Sequence, residues 1–310
     1  MRPLPKRGLK TRRKKTQKGG KPTRGKDTPQ PLPGPCQCHP YVGDEVPPHG
    51  CLPIDVLKSV AVKLNINESL DGKALREAIE TAVDLNRPNA ERSFLEALPI
   101  PAGQKRELSK KYLRPAMPKS WEKDPDMWLD SNNISAVLNQ YEEKYAENGK
   151  KGFEMMGPFP IDFAAPDPYN KSGAKKCLMN EICEIRVEKA IANGTRAIGI
   201  VYNLDPHFKS GSHWVANYID IPGHTCYYFD SYGMEPPPQV ATFMKWLTTQ
   251  DPEMKLNYNA RRLQYKNTEC GVYCIYMIIR MLMGDKFTDI TRRKPKDDDM
   301  ERMRRCLFST

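Results

Sequence analysis

The chain has 310 residues, enough for one large domain or two modest ones, and 39% of them are hydrophobic, which is sufficient for a packed core. No stretch of about 18 apolar residues is present, so the sequence excludes a membrane-spanning protein. The net charge is +11. The N-terminus is basic, but the apolar segment of a signal peptide does not follow it, so we expect no signal peptide.

The positive charge belongs to the N-terminus. Of the 49 basic and 38 acidic residues, twelve and one lie in residues 1–35, so the remainder carries 37 of each. With seven prolines and few apolar side chains, residues 1–35 are predicted to form a disordered arm. Its basic part, residues 1–26, could bind nucleic acid, an acidic surface or a nuclear import receptor, or could serve only as a solubilising tail.

The nine cysteines are an odd number and follow no disulfide pattern, so we expect free thiols in a reducing compartment. Cys36, Cys38 and Cys51 lie within sixteen residues of the chain together with His39 and His49. These five side chains could bind zinc, but Cys-x-Cys is not its usual spacing. A proline-rich linker with free thiols is the preferred interpretation, and we expect neither a metal nor a cofactor.

Residues 36–115 are predicted to form a small helical domain. Apolar residues repeat at helical spacing from Pro53 and again from Asp71, and a third helical segment surrounds Phe94. Pro99, Pro101 and Gly103 are expected to break this pattern.

Residues 116–310 are predicted to form the catalytic domain of an α+β protein. A polar cap after Trp128 predicts a helix that extends to Tyr141. The later elements are strands at 196–203, 213–220 and 225–230, a helix around 238–247, an extended segment at 256–264 and an apolar helix at 270–282. The turn at Pro222-Gly223 predicts that the second and third strands form a hairpin.

Four residues in this region could carry out thiol chemistry. Cys270 begins the apolar helix, where unpaired N–H groups favour a thiolate. His213 opens one strand of the hairpin and Asp230 closes the other, so we expect a carboxylate beside an imidazole. Gln264, six residues before Cys270, could donate to an oxyanion. Each residue alone could be structural, and only their joint arrangement favours catalysis.

This arrangement resembles the ubiquitin-like-protein proteases (the SUMO-protease group) and their adenoviral and large DNA-virus relatives. The matching residues are His213-Trp214, Phe229-Asp230-Ser231, Gln264, Glu269-Cys270-Gly271, and Trp128-Leu129 with the helix to Tyr141. The resemblance covers about residues 116–285 and implies a papain-like cysteine protease fold of the ubiquitin-like-protease type. It also implies that Cys270 is the nucleophile, His213 the base, Asp230 its orienting group and Gln264 the oxyanion-hole donor.

The resemblance also implies a specificity for diglycine. In this family two tryptophans, here Trp214 and Trp128, roof a narrow tunnel over a Gly-Gly tail, which excludes any Cβ. The motif at Trp128 departs from the family, since it reads Trp-Leu-Asp-Ser-Asn-Asn and not Trp-Leu-Asn-Asp. Gly19-Gly20 in the arm suggests that the enzyme could trim its own N-terminus, although a coincidence in a glycine-rich tail is favoured.

Three functions remain open at this point. The preferred one is maturation of viral core polyproteins after Gly-Gly sites, because the chain looks most like the large DNA-virus members of the family. The protein would then act at assembly sites in the host cytoplasm and in the virion, or in the nucleus. The alternatives are removal of SUMO- or ubiquitin-like modifiers and an inactive virion or nucleic-acid-binding protein. The oligomeric state is left open.

Overall fold

The computed structural model describes residues 32–85, 90–168, 170, 176–293 and 295–310. Residues 1–31 of the predicted arm, which include its basic part and the Gly19-Gly20 pair, lie outside these residues, so the predictions made for them stay predictions. Pro33 and Pro35 are buried, so the predicted disorder does not extend to the end of the arm. None of the described helices is long and apolar enough to cross a membrane.

The described chain begins with helices and continues into a sheet flanked by further helices. The helices are α1 (Ile54–Lys63), α2 (Gly72–Ala82), α3 (Glu91–Ala97), α4 (Ala102–Tyr112), α5 (Ser131–Lys144), α6 (Asn180–Cys183), α7 (Val187–Ala192), α8 (Pro238–Gln250), α9 (Cys270–Leu282), α10 (Phe287–Arg293) and α11 (Asp297–Leu307). The strands are β1 (Ala146–Glu147), β2 (Lys150–Lys151), β3 (Phe153–Pro160), β4 (Ala197–Asn203), β5 (Trp214–Asp220), β6 (Thr225–Phe229) and β7 (Lys255–Tyr258).

Helices α1 to α4 bury their apolar faces in a core of their own, which includes Leu57, Leu75 and Phe94. The carboxylate of Asp71 accepts from two backbone N–H groups at the start of α2, as an N-cap residue does. The expectation that prolines end the helical pattern was wrong for α4, which begins directly after Pro101. A proline before the first helical residue leaves the helix intact, because its missing N–H would have no partner there.

The main sheet has five strands in the order β3-β4-β5-β6-β7. Strands β4, β5 and β6 pair antiparallel, while β3 and β7 run parallel to their neighbours. One face of the sheet packs in an apolar cluster with α5 and α9, and the other packs with α7 and α8. The mixed sheet between helical layers is consistent with the expected α+β class.

The predicted hairpin is present and sets the geometry of one sheet edge. Strand β5 pairs with β6 from Asp220–Thr225 beside the turn to Ala216–Phe229 at the open end. His213 directly precedes β5 and Asp230 directly follows β6. Both residues therefore lie at the same end of the hairpin, as the sequence predicted.

Helix α9 is the central helix of the larger core. All residues from Cys270 to Arg280 are buried, which agrees with the apolar sequence of this segment. Helix α5 packs in the same cluster and begins with a capping box, in which Asp130 and Asn133 exchange side-chain-to-backbone hydrogen bonds.

The prediction that the cysteines are free thiols is wrong for six of the nine. Disulfides join Cys36 to Cys306, Cys38 to Cys51 and Cys177 to Cys183, and the free thiols are Cys226, Cys270 and Cys274. The Cys36 pair is separated by 270 residues, and next to it the Gln37 backbone N–H donates to the Cys306 carbonyl at 2.8 Å. Sequence spacing cannot reveal such a contact.

The disulfides also bear on the zinc alternative. The sulfur atoms of all three cysteines in that set are bonded to other sulfurs, so they offer no thiolate to a metal. Within the described part of the chain, no group of three or more metal-ligating side chains is found.

Candidate active site

Cys270 is the first residue of α9, with Glu269 at the N-cap position. The residue is 2% exposed, and the unpaired N–H groups of the helix start surround its position. The other two free thiols, Cys226 and Cys274, are fully buried, and burial raises the pKa of each well above that of an ordinary thiol. Of the three, only Cys270 lies where a thiolate is favoured.

His213 and Asp230 form a close pair beside this helix start. The Nε2 atom of His213 lies 2.7 Å from Oδ1 of Asp230. The same Oδ1 accepts the backbone N–H of Tyr232 at 2.8 Å, and Asn259 holds the main chain of Asp230 with hydrogen bonds to both its N–H and its carbonyl. Hydrogen bonds to its main chain and to its carboxylate therefore fix the position of Asp230.

The protonation of His213 follows from its two neighbours. Burial lowers its pKa, but hydrogen bonds to the side chains of Asp230 and Cys270 raise it more, and the result is about 9 in place of the ordinary 6.5. Since Nε2 faces Asp230, Nδ1 remains for the Cys270 sulfur. The imidazole thus carries a proton at neutral pH, which suits a thiolate–imidazolium pair.

Gln264 lies fully buried in the loop that precedes α9. Its Oε1 atom accepts from the Ser231 hydroxyl at 2.6 Å, and its Nε2 atom donates to the Lys266 carbonyl at 2.8 Å. An amide nitrogen carries two hydrogens, so one donor remains for another acceptor. The hydrogen bond from Ser231 links this amide to the residue that follows Asp230.

The two tryptophans lie on a common groove but in different environments. Trp214 is buried and donates its Nε1–H to the Leu129 carbonyl at 2.9 Å, whereas Trp128 is 41% exposed. Both line a groove of about 400 Å³. A Cβ on Gly271 would lie 3.2 Å from the Leu129 side chain and 3.3 Å from the Trp214 ring, so this groove wall packs directly on the start of α9.

Three supporting residues of the site were not predicted. Asn259 forms hydrogen bonds with the main chain of Asp230, and the Tyr232 ring stacks on the His213 ring. The third, Arg304, belongs to α11 and donates from Nε to the Glu269 carboxylate at 3.1 Å. Tertiary contacts place Asn259 and Arg304, and a tight turn after Asp230 places Tyr232.

Arg304 ties the start of α9 to the segment before Trp128. Its Nη1 atom donates to the carbonyls of Pro125 and Met127, at 2.8 and 2.7 Å. Burial raises the pKa of Glu269 to about 7, although Arg304 acts in the opposite direction. The buried Arg304 guanidinium therefore contacts both Glu269, which precedes Cys270, and the segment that leads to the groove.

A thiol at a helix start, an imidazole and a carboxylate are the types of side chain that cysteine proteases use. Residues 203–309 match the family model described as the Ulp1 protease family, C-terminal catalytic domain. Residues 203–309 therefore match a domain of the Ulp1 protease family, and the resemblance seen in the sequence is confirmed for this part of the chain.

Similar proteins come from large DNA viruses. A thiol protease of Acanthamoeba polyphaga mimivirus is 30% identical over 191 residues, which are 58% of this chain and 56% of that protein. A protein of African swine fever virus named SUMO-1 cysteine protease is 27% identical over 190 residues, which are 58% of this chain and 67% of its own. The chain thus spans little more than half the length of the mimivirus relative.

The fold agrees with these relationships. The crystal structure of the African swine fever virus protease superposes with a TM-score of 0.57 at 18% identity, covering 91% of this chain and 97% of that one. This likeness confirms the expected protease fold, including the N-terminal helical region.

Proposed function

We propose that the chain is a cysteine endopeptidase that cleaves after Gly-Gly sites, with Cys270 as nucleophile, His213 as acid and base, and Asp230 as its orienting group. One observation carries the proposal. A single imidazole, protonated at neutral pH, has the Asp230 carboxylate on one nitrogen and the Cys270 thiol on its other side.

The reaction would follow from this geometry. The Cys270 thiolate attacks the carbonyl carbon of the scissile bond, and the oxyanion that forms accepts from the Cys270 backbone N–H and from Gln264 Nε2. The His213 imidazolium then gives its proton to the leaving amine, which leaves a thioester on Cys270. Water, deprotonated by neutral His213, hydrolyses the thioester and restores the thiolate–imidazolium pair.

The proposed diglycine specificity rests on the groove that Trp214 and Trp128 share. Trp214 packs on Gly271, one residue from the nucleophile, so the residues before the scissile bond would pass along its ring. A glycine, which has no Cβ, fits between an aromatic face and the backbone more closely than any other residue. The structure shows a groove here and not the narrow tunnel that the resemblance implied.

The substrates we propose are viral structural or core polyproteins, since the similar proteins belong to mimivirus and African swine fever virus. On this proposal the enzyme works at viral assembly sites in the host cytoplasm and in the virion, or in the nucleus, and the basic arm holds it near nucleic acid. A protease of modifiers is the alternative, supported by the family match.

Two substrate sets test the proposal. Short Gly-Gly-Xaa peptides and fusions of ubiquitin-like proteins are incubated with the full chain and with Cys270→Ala, and the products are identified by mass. We expect peptides to be cleaved after the second glycine by the native chain alone. Cys226→Ala is the matched control, because it removes a buried thiol of β6, and it should cleave normally.

The outcomes separate the alternatives. Cleavage of fusions without cleavage of peptides would favour a modifier protease. Cleavage of neither substrate set, with an unreactive Cys270, would indicate an inactive site.

A further inference from the structure

Tyr232 lies flat against the imidazole of His213. The two ring centroids are 4.5 Å apart and the ring planes differ by 14°. Tyr232 follows Asp230 by two residues, and its backbone N–H donates to the carboxylate that His213 also contacts. One short turn therefore places both Asp230 and Tyr232 against the imidazole. The turn is closed by the hydrogen bond from the Gly233 N–H to the Asp230 carbonyl.

Tyr232 is held in place from outside by Arg262. The Arg262 guanidinium lies 5.1 Å from the centre of the Tyr232 ring and 5.0 Å from that of Tyr265. Its Nε atom donates to the Gln264 carbonyl at 2.7 Å. The stack on His213 is thus connected to the loop that carries the proposed oxyanion donor.

Stacking on Tyr232 restrains a tilt of the His213 ring that the hydrogen bond to the Asp230 carboxylate does not restrain. A hydrogen bond to Nε2 fixes one atom of the imidazole, whereas the tilt of the ring plane depends on what packs against its face. An aromatic face also attracts a cation more than a neutral ring. The charged and titratable groups facing His213 are Asp230 at the end of β6, Cys270 on α9 and Tyr232 itself, with Arg262 behind it.

We propose that Tyr232 is a positioning residue, which holds the His213 ring in the plane that joins Cys270 to Asp230 and favours its protonated form. This inference rests on the proposed peptidase function. The Tyr232 side chain is only partly buried, so we assign it to the support of the imidazole and not to packing in the core.

The test compares the full-length chain with Tyr232→Leu and Tyr232→Phe. The pKa of His213 is read from the NMR titration of its ring C–H signals, assigned with His213→Gln. In Tyr232→Leu we expect this pKa to fall by about half a pH unit, and the basic limb of kcat/KM on a Gly-Gly peptide to move with it. Tyr232→Phe keeps the stacked ring and should restore both values.

Tyr265→Leu is the matched control, because Tyr265 also contacts Arg262 but is 70% exposed and is not stacked on His213. It should leave the His213 titration unchanged. An unchanged titration in Tyr232→Leu, or a shift of equal size in Tyr232→Phe, would overturn the assignment. The titration does not depend on turnover, so a native chain that cleaves no peptide would refute the proposed function while the NMR result still decides the role of Tyr232.

Discussion

Asp230→Asn isolates the charge of the orienting carboxylate. The Oδ1 atom of Asp230 accepts hydrogen bonds from both the His213 ring Nε2 and the Tyr232 backbone N–H, and an asparagine keeps an oxygen at this position. The side chain is 1% exposed, so the lost charge is poorly replaced by solvent. The substitution should therefore change the electrostatics of the imidazole more than its position.

The magnitude follows from the titration of His213. Its pKa is about 9 against an ordinary 6.5, although burial acts to lower it. This difference corresponds to about 3 kcal/mol in favour of the protonated ring, and because burial opposes it, Asp230 and Cys270 together contribute more than this net value. Loss of the carboxylate charge should lower the pKa by about one to two pH units.

The assay is the pH dependence of kcat/KM on a Gly-Gly peptide. Activity needs the imidazolium to protonate the leaving amine, so it falls as the pH rises through the His213 pKa. The basic limb should lie near pH 9 in the native chain. In Asp230→Asn it should move to lower pH, toward about pH 7 to 8.

Asp251→Asn is the matched control, since Asp251 lies 2.8 Å from His224 at the opposite end of the hairpin. It should leave the profile unchanged. A basic limb that stays in place in Asp230→Asn, or that moves equally in Asp251→Asn, would refute this account of His213.

Three further predictions concern the surroundings of this pair. Gln264→Ala should lower kcat by about 10²–10³ with little change in KM, since it removes one oxyanion donor, as steady-state kinetics would measure. Arg304→Met leaves the buried Glu269 carboxylate without its cation, and at a pH above the Glu269 pKa of about 7 it should reduce the free energy of unfolding in urea by about 3–5 kcal/mol. A non-reducing peptide map should recover Cys36 linked to Cys306, and Cys36→Ser should lower Tm under oxidising conditions only.

Local sequence signals predicted the elements that hold the candidate site. Two adjacent predicted strands around a Pro-Gly turn gave the β5–β6 hairpin, and an uninterrupted apolar run gave α9 with its observed bounds. Strand β3 was not predicted, because its sequence contains a glycine and two prolines and no β-branched residue.

Contacts between distant segments could not be predicted. Cys36 and Cys306, or Glu269 and Arg304, meet only after the chain has folded, and no periodicity links their positions. The stack of Tyr232 on His213 depends on the tight turn after Asp230, which side-chain type alone does not specify. The sequence thus predicts which elements carry the chemistry, and tertiary packing decides what supports them.

We propose that Cys270 is a nucleophile that His213 activates. The most direct measurement is labelling of the full chain with an electrophilic Gly-Gly probe, followed by mass spectrometric mapping of the modified residue. We predict one label, on Cys270, with a rate that drops sharply in His213→Ala. A label on Cys226 or Cys274, or a Cys270 rate that is the same in His213→Ala, would contradict the account.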